Sequence, residues 1–121
     1  MAAIERFEEI QAWQKARALT RAVYTMSGRG AFAKDYRLCD QIHGSAISMM
    51  SNIAEGFDCD TDREFIRFLG YARRSATELQ AQLYIALDRS YITQEEFQQI
   101  YAQATETKKL IGGFIRYLRQ P

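Results

Sequence analysis

Between Phe97 and Leu118 the residues Phe97, Ile100, Ala104, Thr107, Ile111, Phe114 and Leu118 succeed one another at alternating steps of three and four. Steps of this size keep side chains on one face at 3.6 residues per turn, so the segment predicts an amphipathic helix whose stripe packs against other helices. Its start is written just upstream. Thr93-Gln94-Glu95-Glu96 is a capping box, in which the threonine hydroxyl and the glutamate carboxylate satisfy amides that a helix start leaves free.

The same grammar recurs at Thr61-Asp62-Arg63-Glu64, followed by Phe65, Phe68, Ala72, Ala76, Leu79, Leu83 and Ala86, with an end expected near Arg89 or Ser90. Leu69, Ile85 and Leu87 widen this stripe beyond one narrow seam, which predicts contacts on a second side, either within a bundle or with another subunit. A helix from about Asp35 to Glu55 points Leu38, Ile42, Ala46, Met49 and Ile53 inward. There Gly56 stands where a left-handed cap is expected, and Gly44, Ser45, Ala46 and Ser48 allow a close neighbour. The first helix carries Ile10, Trp13, Ala16, Thr20, Val23 and Met26 and stops at Ser27-Gly28-Arg29-Gly30.

Four helices joined by short connections lie antiparallel to their sequential neighbours, so the expected fold is all-α, an up-down-up-down antiparallel four-helix bundle. The 121 residues, 47% of them hydrophobic, suffice for one core, and residues 1–121 are expected to form a single domain. One proline, seven glycines and the lack of a low-complexity tract argue against a long linker.

A formal charge of +1 gives no bulk field for non-specific attraction to nucleic acid. The charge is nonetheless uneven. Glu55, Asp58, Asp60, Asp62 and Glu64 crowd one stretch, whereas Lys108, Lys109, Arg116 and Arg119 crowd the C-terminal one. No window approaches the roughly 18 apolar residues of a membrane span, and no signal peptide is evident, so a cytoplasmic location without membrane attachment is expected. Cys39 and Cys59 fit no metal-ligand spacing and, if carried by one helix, lie roughly 30 Å apart, beyond disulfide reach. They read as reduced thiols.

Catalytic candidates are few. His43 is the sole histidine, with no serine, cysteine or carboxylate at a recognisable motif spacing, and a lone helical histidine is usually structural. Its pairing with Glu55, about 18 Å along one helix, requires a contact between subunits. Glu-x-x-His pairs of di-iron bundles and phosphate-cradling glycine loops are both lacking, so no enzyme activity, cofactor or metal is expected. Tyr71, Arg73, Arg74, Tyr84, Arg116, Tyr117 and Arg119 have the chemistry to stack on bases and pair with phosphates, but the weak net charge favours ordinary helix-edge packing. In Ser51-Asn52-Ile53-Ala54-Glu55-Gly56, Asn52 and Glu55 stand one turn apart near the end of an apolar helix. The favoured reading of Ser51, Asn52, Glu55 and Gly56 is a structural polar motif that fixes helix ends or a subunit register, ahead of a ligand site.

Several stretches also resemble, in order, the bacterial four-helix-bundle proteins encoded within intervening sequences of large-subunit ribosomal RNA genes. They are Trp13 to Arg17, Gln41-Ile42 through Ser51-Asn52-Ile53-Ala54-Glu55-Gly56, Glu64 to Leu69, and Glu78 to Leu83. The resemblance implies an antiparallel bundle in a five-fold homo-oligomeric ring. It also implies distant kinship with accessory variability proteins of diversity-generating retroelements, which bind a reverse transcriptase and nucleic acid. Enzymatic activity is not implied. The chain departs from the family pattern at His43-Gly44, where basic residues are common, and at Met50, where a proline is common; a methionine restores the backbone donor and leaves the helix straighter.

Two functions compete. One is a non-catalytic homo-oligomeric scaffold or adaptor. The other is an accessory protein that binds RNA or DNA through Arg73, Arg74, Lys108, Lys109, Arg116 and Arg119 on the assembled ring, where repetition of a modest patch adds up to a collective field.

Overall fold

The structure, a computed structural model, describes residues 3–121. Its four helices are α1 (Gln11–Ser27), α2 (Tyr36–Phe57), α3 (Asp62–Asp88) and α4 (Gln94–Arg119), with short 3₁₀ turns at Phe7–Glu9 and Phe32–Lys34. No strand occurs among the described residues.

Three helix starts are held by side chains. Thr93 and Glu96 close the full capping box of α4, each side chain bonding the other's amide. At α3 half of the box forms. Thr61 accepts from the Glu64 amide at 3.1 Å, but the Glu64 carboxylate turns instead to Arg67, 2.9 Å away. Asp35 caps α2 by accepting from the Leu38 amide and also accepts from the Tyr91 hydroxyl, 2.8 Å away, which ties the α3–α4 connection to the start of α2.

The helices pack as a four-cornered bundle, each against its chain neighbour and α1 against α4. Cross-helix bonds give the directions: Ser27 meets His43 while Thr20 meets Ala46, and Ser45 meets Gln82 while Ser48 meets Ser75. Gln80 meets Thr105 while Phe65 meets Phe114, and Lys15 meets Glu106 while Arg29 meets Glu96. In every pair one chain index falls as the other rises, so adjacent helices are antiparallel.

Leu38, Ile42, Ala46, Met49 and Ile53 are all buried, as the periodicity of α2 predicts. In α1 the stripe is rotated. Ala12 and Leu19 are buried, while Trp13 and Thr20 sit at the edge, Trp13 edge-on to Phe7 with ring centroids 5.0 Å apart. In α4 the strict three-four series drifts off the core, so Ile115 is buried where Phe114 and Leu118 are half-buried. A straight helix loses roughly 20° per heptad against a 3.5-residue repeat, which over this length rotates the last members out of the seam.

Gly56 does not cap α2. The helix continues through Phe57 to an Asp58 cap, and Gly56 is buried within it at negative φ. A Cβ there would lie 2.8 Å from both Phe65 Cδ1 and Phe68 Cβ, so the glycine is required by the close approach of α3 to α2.

Candidate functional site

The breadth of the α3 stripe is largely used inside the protomer, because α3 packs on α2 along one side and on α4 along the other. The α2 side is small and polar. Ser45 Oγ lies 2.9 Å from both Glu78 Oε1 and Gln82 Oε1, and the Ser75 hydroxyl donates to Ser48 Oγ at 2.9 Å. Among the described residues no buried side-chain polar atom lacks a partner. Such a satisfied seam fixes the register of two helices at little energetic cost. Of the small residues, Ser45 and Ser48 serve this contact and Ala46 is buried with its carbonyl accepting from Thr20 of α1, whereas a Cβ on Gly44 would meet nothing within 4 Å.

The Ser-Asn-Ile-Ala-Glu-Gly segment separates into independent parts. Asn52 donates back one turn to the Ser48 carbonyl and hydroxyl, at 2.8 and 3.0 Å, and does not pair with Glu55. Ser51 and Glu55 are exposed. The Asn52 amide points back along the helix to the half-buried Ser48–Ser75 contact and not forward to Glu55.

His43 is not joined to Glu55, twelve residues along the same helix. Its Nε2 lies 2.7 Å from Ser27 Oγ, and the Tyr24 ring stacks on it with centroids 4.0 Å apart. Ser27 is 2% exposed, so its hydroxyl is closed to a substrate in solution. This serine was invisible to motif spacing, because the contact joins α1 to α2 across sixteen residues of chain. Both cysteines are free. Burial first, and then nearby carboxylates (Asp35 and Asp40 for Cys39, Glu64 for Cys59), raise their pKa values. Among the described residues no three His, Cys, Asp or Glu side chains gather as metal ligands, and no helix is long and apolar enough to cross a membrane.

The six basic residues singled out by sequence divide into separate locations. Arg73 on α3 and Arg116 on α4 converge on Gly112: from the position a Cβ would take there, Arg116 Nη1 is 3.6 Å away and Arg73 Nη1 is 3.8 Å away. Lys108, one turn earlier on α4, donates to Gln80 Oε1 at 3.2 Å, and the same Gln80 donates to Thr105 and the Tyr101 carbonyl. Arg74 lies over the Tyr71 ring, 5.7 Å from its centroid. Lys109 lines the α1 side of α4 with Ile10 and Tyr117, and Arg119 is exposed at the last turn. Ion pairs among the described residues involve other side chains, Lys15–Glu106 and Arg29–Glu96 among them, so these six cations have no carboxylate partner within salt-bridge range. The role of Gly112 escaped sequence reading. Its only signal was a Gly-Gly pair inside a helix, where glycine costs about 1 kcal/mol relative to alanine.

Large apolar side chains also stay exposed on the two adjacent helices. Ile47 on α2 is 47% exposed and Ile85 on α3 is 49% exposed. Tyr36 shares the face of Ile47, eleven residues or about three turns away, and Tyr71 shares that of Ile85 at fourteen residues, so the exposure follows helical register.

A family model described as "23S rRNA-intervening sequence protein" matches residues 8–113. Among solved structures, the chain is similar to the crystal structure of a protein of unknown function from the S23 ribosomal protein family of Bacteroides thetaiotaomicron. The TM-score is 0.78 at 25% identity, over 87% of this chain and 98% of that one. No curated protein matches the sequence.

Proposed function

The chain belongs to the 23S rRNA-intervening sequence protein family, and from that premise we propose that it is a non-catalytic, self-assembling helical scaffold. The observation that carries this reading is the exposure of Ile47 and Ile85 in register with Tyr36 and Tyr71 on neighbouring helices. Single exposed apolar side chains are ordinary, but a pair repeated along the outer face of each of two adjacent helices is surface that an interface can cover. The occupant is a second copy of the same chain. Exposed acids crowd the α2–α3 connection at Glu55, Asp58, Asp60 and Asp62, whereas the exposed bases Arg73, Arg74 and Arg116 stand further along α3 and α4. Unlike patches that attract favour head-to-tail contacts, and head-to-tail contacts that close make rings. The five-fold ring implied by the resemblance is of this kind.

Light scattering on the purified chain at micromolar concentration tests the proposal. The expected mass is a multiple of 14.0 kDa, five-fold for the ring, and it should fall in Ile47→Asp and Ile85→Asp. A carboxylate at an interface centre costs several times what the isoleucine contributed, because it must be desolvated unpaired. A wild-type mass of one protomer, or full assembly in both variants, rejects the reading.

A further inference from the structure

We propose that Arg73, Arg116 and Lys108 form a phosphate-binding notch over Gly112 in the α3/α4 groove, an assignment independent of the assembly reading. Three observations point to it. First, the two guanidinium groups come from different helices yet approach one point, with Nη1 atoms 3.6 and 3.8 Å from where a Gly112 side chain would begin. The two positive groups repel each other, an anion between them would turn that repulsion into attraction, and neither has a carboxylate partner within salt-bridge range among the described residues. Second, the floor of the notch is main chain. Gly112 is buried and Gly113 half-buried, and Arg116 Nη2 lies 3.7 Å from the corresponding position on Gly113, so no side chain separates the forks from the helix surface. Third, Lys108 stands one turn away on the same helix and is half-buried, with its ammonium held by Gln80 at 3.2 Å. Two planar forks with an ammonium anchored one turn away on α4 offer more donors than the two oxygens of a carboxylate can accept. A phosphate, with three or four oxygens, can take a bidentate pair from each guanidinium.

The groove continues in a way that suits a phosphate carried by a nucleotide strand. Past Gln80 and Thr105 it reaches Tyr101 and the half-exposed Tyr84, whose ring packs against the buried Phe97 with centroids 4.8 Å apart. Cationic and then aromatic surface along one groove is the arrangement that holds single-stranded nucleic acid through phosphates and stacked bases. Inorganic pyrophosphate and a strand share the same chemistry at the notch, so both serve as probes.

The test follows the side-chain Nε–Hε NMR signals of the full-length chain at low salt during titration with pyrophosphate. Single-stranded uridylate of about ten nucleotides is then titrated across salt concentrations. Arg73 and Arg116 signals should shift with pyrophosphate, and affinity should fall about tenfold or more in Arg73→Gln/Arg116→Gln, with a strand's salt slope reduced by about two. Removing the same charge elsewhere, in Arg37→Gln/Arg63→Gln, should leave pyrophosphate affinity within about twofold. Gly112→Ala places a methyl at ordinary contact distance from both forks, so the helix tolerates it; binding should weaken with charge unchanged. Pyrophosphate binding without strand binding identifies the source as a small phosphate compound, and binding of both identifies a strand; either supports the notch. Unmoved arginine signals overturn it, as does an equal loss in the Arg37/Arg63 variant. A fall in assembly mass in the Arg73/Arg116 variant with no phosphate binding by the wild type also overturns it, since the forks then hold a carboxylate of another copy.

Discussion

Replacing Gly56 by alanine should destabilise the bundle, although alanine is the better helix former. The added methyl carbon would lie 2.8 Å from Phe65 Cδ1, 2.8 Å from Phe68 Cβ and 3.3 Å from Phe65 Cε1. Favourable carbon contacts begin near 3.5 Å, so two contacts overlap by roughly 0.7 Å. The Phe65 ring has little room to yield, being packed between Phe57 and Phe114 at centroid distances of 6.2 and 5.2 Å. Phe68 Cβ cannot yield alone, because it is fixed to the α3 backbone. Relief therefore requires α3 to move away from α2, against the hydrogen-bonded seam at Ser45 and Ser48. Overpacking of this kind costs about 3 kcal/mol at the upper end of its usual range, and the helix propensity of alanine returns about 1 kcal/mol. The net loss is about 2 kcal/mol. With an unfolding entropy of about 2.1 cal/mol/K per residue, a chain of this length should melt about 8 °C lower. The assay is thermal unfolding by circular dichroism at one fixed protein concentration, since assembly makes Tm concentration-dependent. Gly70→Ala is the control. A Cβ at Gly70 meets nothing within 4 Å, so its Tm should rise by a few degrees. A Gly56→Ala protein as stable as wild type would refute the close-approach argument.

Other outcomes follow from the same geometry. Thr93→Ala should cost about 1 kcal/mol in chemical denaturation, because the Glu96 amide loses its acceptor at a complete capping box, and Thr61→Ala should cost no more. Ser45→Ala leaves the buried Gln82 without its donor and should cost about 1–2 kcal/mol by the same measure. The Leu38 amide and the Tyr91 hydroxyl hold Asp35 below its usual carboxylate pKa, and the Thr93 amide and Arg29 do the same for Glu96. A depressed folded pKa gives stability that is complete above the ordinary carboxylate range and lost as pH falls through the folded values. Tm should therefore stay level from neutral pH down to that range and fall below it, with a shallower fall in Asp35→Asn/Glu96→Gln; a fall that begins near neutrality contradicts this. Both thiols should react with an alkylating reagent at neutral pH more slowly than free cysteine, since burial and neighbouring carboxylates disfavour the thiolate.

The helices themselves were legible in the sequence because their causes are local. Periodicity places Leu38 to Ile53 inward, and the Thr93–Glu96 box starts α4, through forces acting within one or two turns. Where local rules had two meanings, only packing chose between them. A glycine near a helix end can cap it or admit a neighbour, and at Gly56 the neighbour is Phe65 and Phe68, brought there by a chain reversal no periodicity describes. A broad stripe can meet a sister helix or a sister chain, and on α3 it is shared between α2 and α4, leaving Ile85 and Tyr71 outside. The candidate sites belong to this second kind. Ser27 beside His43, and Arg73 beside Arg116 over Gly112, are contacts between residues far apart in the chain. Residue type announces that arginines can bind an anion, but two of them share one only when antiparallel packing sets their helices side by side.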